Sequence, residues 1–313
     1  MSLTSPLEQF GRALVAIGAE NERVVVLDPD LSTSTKTSYF AERFPDRFIN
    51  VGISEQDMIG VAAGLAAAGR TPIACGYSIF TAGRAWEQIA NSVARPNLDV
   101  KIVATHGGLS PFADGDSHQN IGDVATMRVL PNMRVVVPAD AASAVWALEA
   151  IVRSRGPAYL RLGREATPMV HEERSEFTLG RASPVRDGAD AAVIANGVMV
   201  ALALEAAEDL SAGGLDVGVI DMHTVKPIDA DRIIGAARET GAIVTAEEHS
   251  VIGGLGSAVC EVLSQSHPTP VQMVGIRDRF GESSRDYRSL LAKHGLSAEG
   301  VSEAVYNVLK MRR

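Results

Sequence analysis

The chain has 313 residues, 46% of them hydrophobic and 21% charged, with a net charge of −9. Such an acidic balance argues against nucleic acid or an anionic membrane as the main partner, and the length suggests roughly two domains of ~150 residues each. Cys75 and Cys260 stand far apart in apolar surroundings and read as reduced thiols of a cytoplasmic protein.

The N-terminal stretch SPLEQFGRALVAIG reads as an amphipathic helix rather than a signal peptide. Ser5 is a fitting N-cap, Pro6 the first helical residue and Glu8 the capping-box partner, with Leu7, Phe10, Leu14 and Ile17 as the apolar stripe. Apolar, β-branched runs then predict strands at 23–28, 71–77, 100–105, 133–138 and 158–163, with helices near 54–69, 81–94 and 139–154. Residues 168–189 are polar and without period, and read as a linker. Strand patterns resume at 191–196, 215–221, 242–246 and 271–276, with helices near 198–211, 229–240, 254–265 and 299–311. Continuous apolar strands separated by helices predict an α/β protein of two domains, each a mostly parallel sheet with helices on both faces. The boundaries expected are 1–172, a linker at 173–189, and 190–313. The longest apolar run, Met58 to Ala68, is too short to span a bilayer and too rich in Gly and Ala.

Several loops carry chemistry-bearing residues. In NVGISEQDMIGVAAGLAAAG, Ser54 can cap a helix, Asp57 can complete a capping box, and Glu55 can favour the positive helix end. The small residues that follow let another backbone come close, and burial against a partner would favour a protonated Glu55, a hydrogen-bond donor. Tyr77 and Phe80 lie where a strand gives way to a helix, at the usual ligand edge of a parallel sheet, although two aromatics three apart also suit a core. Trp86 reads as packing. The loop THGGLSPFADGDSHQN (105–120) gathers His106, Asp114, Asp116 and His118, and residues of this type after a strand suit function better than packing. The two His are twelve apart without thiolates, which is no familiar metal spacing. DPDLSTSTKT (28–37) could cap a helix or hold a phosphate. Arg161 and Arg164 suit either an anion or a salt bridge. Gly253, Gly254 and Gly256 open a helix, and as a lone G-G-x-G they read as structural.

Taken in order, Gly52-Ile53-Ser54-Glu55-Gln56, Tyr77-Ser78-Ile79-Phe80 and Asp114-Gly115-Asp116-Ser117-His118-Gln119 resemble the pyrimidine-binding half of transketolases. DMHTVKPID, TAEEHSVIGGLGSAV and DRFGESS are similar to the C-terminal domain of the same family. The resemblance covers essentially the whole chain and implies thiamine diphosphate chemistry. It implies that Glu55 hydrogen-bonds the cofactor's aminopyrimidine and promotes the tautomer that generates the ylid, and that Tyr77 and Phe80 pack the ring. It further implies that Ser34, His106 and Arg164 bind substrate phosphate, and that Asp114 and His118, with His106, serve the sugar and the developing charge. Gly83 departs from the third aromatic of the larger transketolases, with Arg84 following it. No Gly-Asp-Gly occurs in the chain, so no metal site of its own is expected. The diphosphate and Mg²⁺ are then expected on a separate N-terminal subunit carrying G-D-G…N, in a heterotetramer built on a dimer of this chain, with sugar phosphates as substrates. Rival readings are the β subunit of a 2-oxoacid dehydrogenase or decarboxylase, a deoxyxylulose-phosphate-synthase-like enzyme, and a non-catalytic regulatory subunit.

Overall fold

The computed structural model describes residues 3–171 and 177–312. The domain boundary expected at 172/173 falls outside the described residues. The strands run β1 (Leu3–Thr4), β2 (Val24–Asp28), β3 (Phe48–Asn50), β4 (Thr71–Tyr77), β5 (Lys101–Thr105), β6 (Arg134–Val136), β7 (Ala158–Arg161) and β8 (Thr167–Pro168). They continue as β9 (Ser183–Arg186), β10 (Ala191–Ala195), β11 (Val217–Asp221), β12 (Thr224–Lys226), β13 (Ile243–Ser250) and β14 (Val271–Ile276).

The first sheet has the order β12-β6-β7-β5-β4-β2-β3 and is parallel except for β12. The second has the order β14-β13-β10-β11-β9 and is parallel except for β9. β2, β5, β10 and β11 are buried at every position, which is why their sequences are mostly apolar throughout rather than alternating. Each sheet divides its side chains between two cores. In the first, helices Pro6–Glu20 and Ala141–Arg153 cover one face, and Glu55–Ala67 with the segment 79–94 covers the other. In the second, Met199–Ala212 and Ala298–Met311 lie on one face, Ala230–Thr240 and Leu255–Ser266 on the opposite one. Among the described residues, no helix is long and apolar enough to cross a membrane.

The structure departs from the sequence reading in several places. The expected linker contains β9, which pairs antiparallel with β11. It is an edge strand containing Pro184, where a missing N–H costs least, and only Val185 packs on the core, so no period betrays it. β12, from the second half of the chain, completes the edge of the first sheet, and three residues are too few to show a pattern. The helix Tyr287–Lys293 is another short element without a sequence signal. The expected helix at 81–94 is a helical segment of π-type turns, Ile79–Arg84 and Ile89–Ala94, flanking one α-turn at Trp86–Gln88.

At the N-terminus, Ser5 caps its helix by accepting from the Glu8 N–H. The Glu8 side chain does not close the box, because it pairs with Lys36 and accepts from Tyr39. Ser54 does not cap by its side chain either: its hydroxyl donates to the Val51 carbonyl, 2.8 Å away. Cys75 is buried and Cys260 half-buried, and both are free thiols.

Candidate active site

The C-terminal ends of the parallel strands of the first sheet face one way, and the expected site residues follow from there. Tyr77 ends β4, and Phe80 lies three residues on. His106 follows β5, Arg164 follows β7, Ser34 follows β2, and Glu55 opens the helix after β3. The parallel topology therefore collects residues from distant stretches of chain at one edge.

Most of them make a continuous cluster. The Tyr77 ring stacks on the His106 imidazole with centroids 3.8 Å apart, and on Phe80 at 6.3 Å. His118 meets the Phe80 ring edge-on at 5.4 Å. Arg84 lies four residues beyond Phe80 on the π-turn, so its guanidinium folds back over that ring, 4.8 Å from the centroid. The same guanidinium donates to Glu55 through Nη1, 2.5 Å from Oε2. Glu55 is only 2% exposed, whereas Arg84 is 47% exposed. No basic residue stands within a dozen residues after Glu55 in the sequence. The structure supplies one from a segment 29 residues on, because the helix Glu55–Ala67 packs beside that π-turn.

His106 sits in the left-handed region at φ +57, a conformation that costs a non-glycine residue about 1 kcal/mol and is frequent at functional sites. It is 3% exposed, with Nδ1 3.0 Å from Thr105 Oγ1. Burial, together with the Arg164 and His118 charges, pushes its pKa down to about 3, so the imidazole is neutral at physiological pH. Asp114 accepts from Arg164 Nη1 at 3.0 Å, and the Arg164 N–H in turn donates to Ser110 Oγ, which ties that arginine to the 105–120 loop. Asp116 is exposed in the 3₁₀ turn Asp116–His118.

Ser34 stays outside the cluster. Its side chain is exposed, and among the described residues no hydrogen bond or ion pair joins it to His106 or Arg164. The other hydroxyls of that loop are structural: Thr35 and Thr37 both donate to the buried Asp28 carboxylate at 2.8 Å. Trp86 donates to the Thr126 carbonyl and packs against the core. The glycine-rich turn is also structural. Glu247 already occupies the amides at the helix start, accepting from Leu255 and Gly256 N–H at 2.7 and 2.8 Å.

A buried polar layer that the sequence reading missed lies beneath the site. Arg161, left open between anion and salt bridge, is a salt bridge. Its Nε donates to Asp123 Oδ2 at 2.9 Å, and the same oxygen accepts from Tyr159 and Ser78. Burial works against an ionised Asp123, yet Arg161, His249 and the two hydroxyls hold its pKa below the ordinary carboxylate value. No period or motif signals this layer, because its members come from four separate segments. Among the described residues, no group of three or more His, Cys, Asp or Glu stands close enough to hold a metal ion.

Comparison with known proteins places these features in a family. A model described as "Transketolase, pyrimidine binding domain" matches residues 7–169, and one described as "Transketolase, C-terminal domain" matches residues 180–301. The chain is 42% identical to a putative transketolase C-terminal section of Methanocaldococcus jannaschii over 96% of this chain and 95% of that protein. It is 41% identical to a 6-deoxy-6-sulfo-D-fructose transketolase subunit of a Clostridium species, over 96% and 92%. Among solved structures, a split gene transketolase described as an inactive beta4 tetramer superposes with a TM-score of 0.92 at 50% identity, each chain covered in full.

Proposed function

Because this chain belongs to the transketolase family, we propose that it is the pyrimidine-binding subunit of a split transketolase. It would transfer a two-carbon ketol unit between sugar phosphates only when joined to a separate subunit. In this reading residues 1–172 form the pyrimidine-binding domain, 173–189 the connection, and 190–313 the C-terminal domain, and the setting is cytoplasmic.

What carries the reading is the arrangement of Glu55, Phe80 and Arg84. A buried carboxylate stands beside an aromatic face, and a flat N–H donor lies over that face and donates to that carboxylate. An aminopyrimidine makes the same two demands, a ring to stack on and a carboxyl group to hydrogen-bond, so the residues present fit the cofactor. Arg84, half exposed, can swing into solvent to make room.

When bound, thiamine diphosphate supplies the nucleophilic carbon that takes up and passes on the ketol unit. Glu55 would hold or share a proton at a ring nitrogen, and its burial would keep water from competing for that bond. Tyr77 and Phe80 would pack against the ring. Neutral His106 can donate to or accept from a substrate oxygen, Arg164 brings a fixed cation to a phosphate, and Asp114 and His118 suit sugar hydroxyls and developing negative charge. Ser34, exposed and without a bond to the other assigned ligands among the described residues, would be joined to them by the substrate. A short oxoacid would leave most of these polar groups without partners, which favours a sugar phosphate.

The diphosphate and Mg²⁺ would be held by the partner subunit, since this chain has no Gly-Asp-Gly. That the relatives are described as a section, a subunit and a split-gene product supports that division. Self-association would use the helix Glu55–Ala67, whose Gly60 and Gly64 face open space. Calorimetry with thiamine diphosphate and Mg²⁺ tests the proposal. Tight binding and ketol transfer are expected only with the partner present, and tight binding by this chain alone would overturn it.

A further inference from the structure

The 105–120 loop carries His106, Asp114 and His118, yet its neck is gripped by the other half of the chain. Glu248, on β13 and 4% exposed, reaches across so that Oε1 accepts the Leu109 N–H at 2.7 Å and the Tyr287 O–H at 2.9 Å. Its main-chain carbonyl accepts from Arg161 Nη2 at 2.8 Å, which links it to the Asp123 layer under the site. The approach is so close that a Cβ on Gly108 would run into the carboxyl group, and Gly108 has φ +64 besides. Gly107 N–H donates to Leu162, and Gly108 and Asn120 exchange backbone hydrogen bonds at 3.0 and 3.1 Å, closing the loop at its base. On the returning side of the neck Gln119 donates to the Glu282 carbonyl, and farther out the Ser284 N–H donates to the carbonyl of Phe112. Those contacts hold the returning side and the outer loop, whereas on the outgoing side, among the described residues, Glu248 is the side chain that holds Leu109, three residues from His106.

On this basis we propose that Glu248 is a positioning residue. It anchors the neck of the 105–120 loop from the second domain, so that His106, Asp114 and His118 are presented to substrate in fixed register. The inference rests on the functional reading above. Loop backbone is mobile unless its amides are tied down, and misplacing substrate-contacting groups by about 1 Å can cost roughly 100-fold in rate. Burial drives the Glu248 carboxyl up to about 7, against the pull of Arg161, Tyr287 and the Leu109 amide. Both groups bonded to it, the Leu109 N–H and the Tyr287 O–H, are donors that need only an acceptor oxygen, so an amide should do most of its work.

The test compares Glu248→Ala and Glu248→Gln in the reconstituted complex. For Glu248→Ala, kcat/KM for the sugar phosphate donor should fall by about 100-fold while thiamine diphosphate affinity stays within about threefold. Glu248→Gln, which keeps an acceptor for Leu109, should restore most of that loss. Hydrogen exchange of the Leu109 amide should speed up in the alanine variant and not in the glutamine one. Unchanged kcat/KM and exchange in Glu248→Ala, glutamine as damaging as alanine, or cofactor affinity falling in step with kcat/KM would each overturn the proposal. If the alanine variant does not fold, Tyr287→Phe carries the same test. It removes one donor to the same oxygen but keeps the ring stacked on Phe112. A several-fold loss of kcat/KM is expected, and none would overturn the idea. Should the wild-type complex transfer no ketol unit, the functional reading fails, and the exchange measurement still decides whether Glu248 anchors the loop.

Discussion

Replacing Glu55 by glutamine in the reconstituted complex separates chemistry from stability at one position. The substitution keeps size and one acceptor oxygen but removes the charge and the capacity to give or share a proton. A positioned acid or base contributes roughly 10²–10⁴-fold to a rate, which corresponds to about 3–5 kcal/mol of barrier. The structural cost is far smaller. Among the described residues Glu55 has a single side-chain partner, Arg84, and that guanidinium is 47% exposed and can return to water. An ion pair with one partner so wetted is worth ~1 kcal/mol or less, so melting should shift by no more than about 2–4 °C. The assay is ketol transfer at saturating cofactor, alongside thermal unfolding of the same preparation. Activity within a few-fold of wild type would refute the role of Glu55. Activity and melting temperature that collapse together would refute the division between chemistry and stability.

Two further predictions follow from the same geometry. Because the His106 pKa is depressed to about 3 from an ordinary 6.5, its contribution to stability is fully present above pH 6.5 and is lost as pH falls toward 3. His106→Gln should therefore lose its disadvantage relative to wild type on acidification, by on the order of 1 kcal/mol per pH unit at most. A stability difference that is flat between pH 7 and 4 would contradict the neutral imidazole. At Gly64 a Cβ would meet nothing within 4 Å, so Gly64→Arg should leave the subunit folded while shifting sedimentation toward smaller species. An unchanged assembly would show that this helix face is not the contact.

Much of the architecture was already readable in the amino-acid sequence. Short, largely apolar runs such as VVVLD and KIVAT, bounded by helical stripes, fit strands buried on both faces and paired in parallel. That pairing, with the ordered motifs around Glu55, Tyr77, Phe80, His106 and His118, determined which loops would meet at one sheet edge. The tertiary structure alone decided how the gathered residues are paired. Arg84 reaches Glu55 across 29 positions and Glu248 reaches Leu109 across 139, and no local pattern encodes such separations. β9 and β12 are stabilised by the edges they complete rather than by their own sequences. Periodicity reports which face of an element is buried. The partner a buried polar group finds depends on which strands become neighbours, and that is set by the packing of the whole chain.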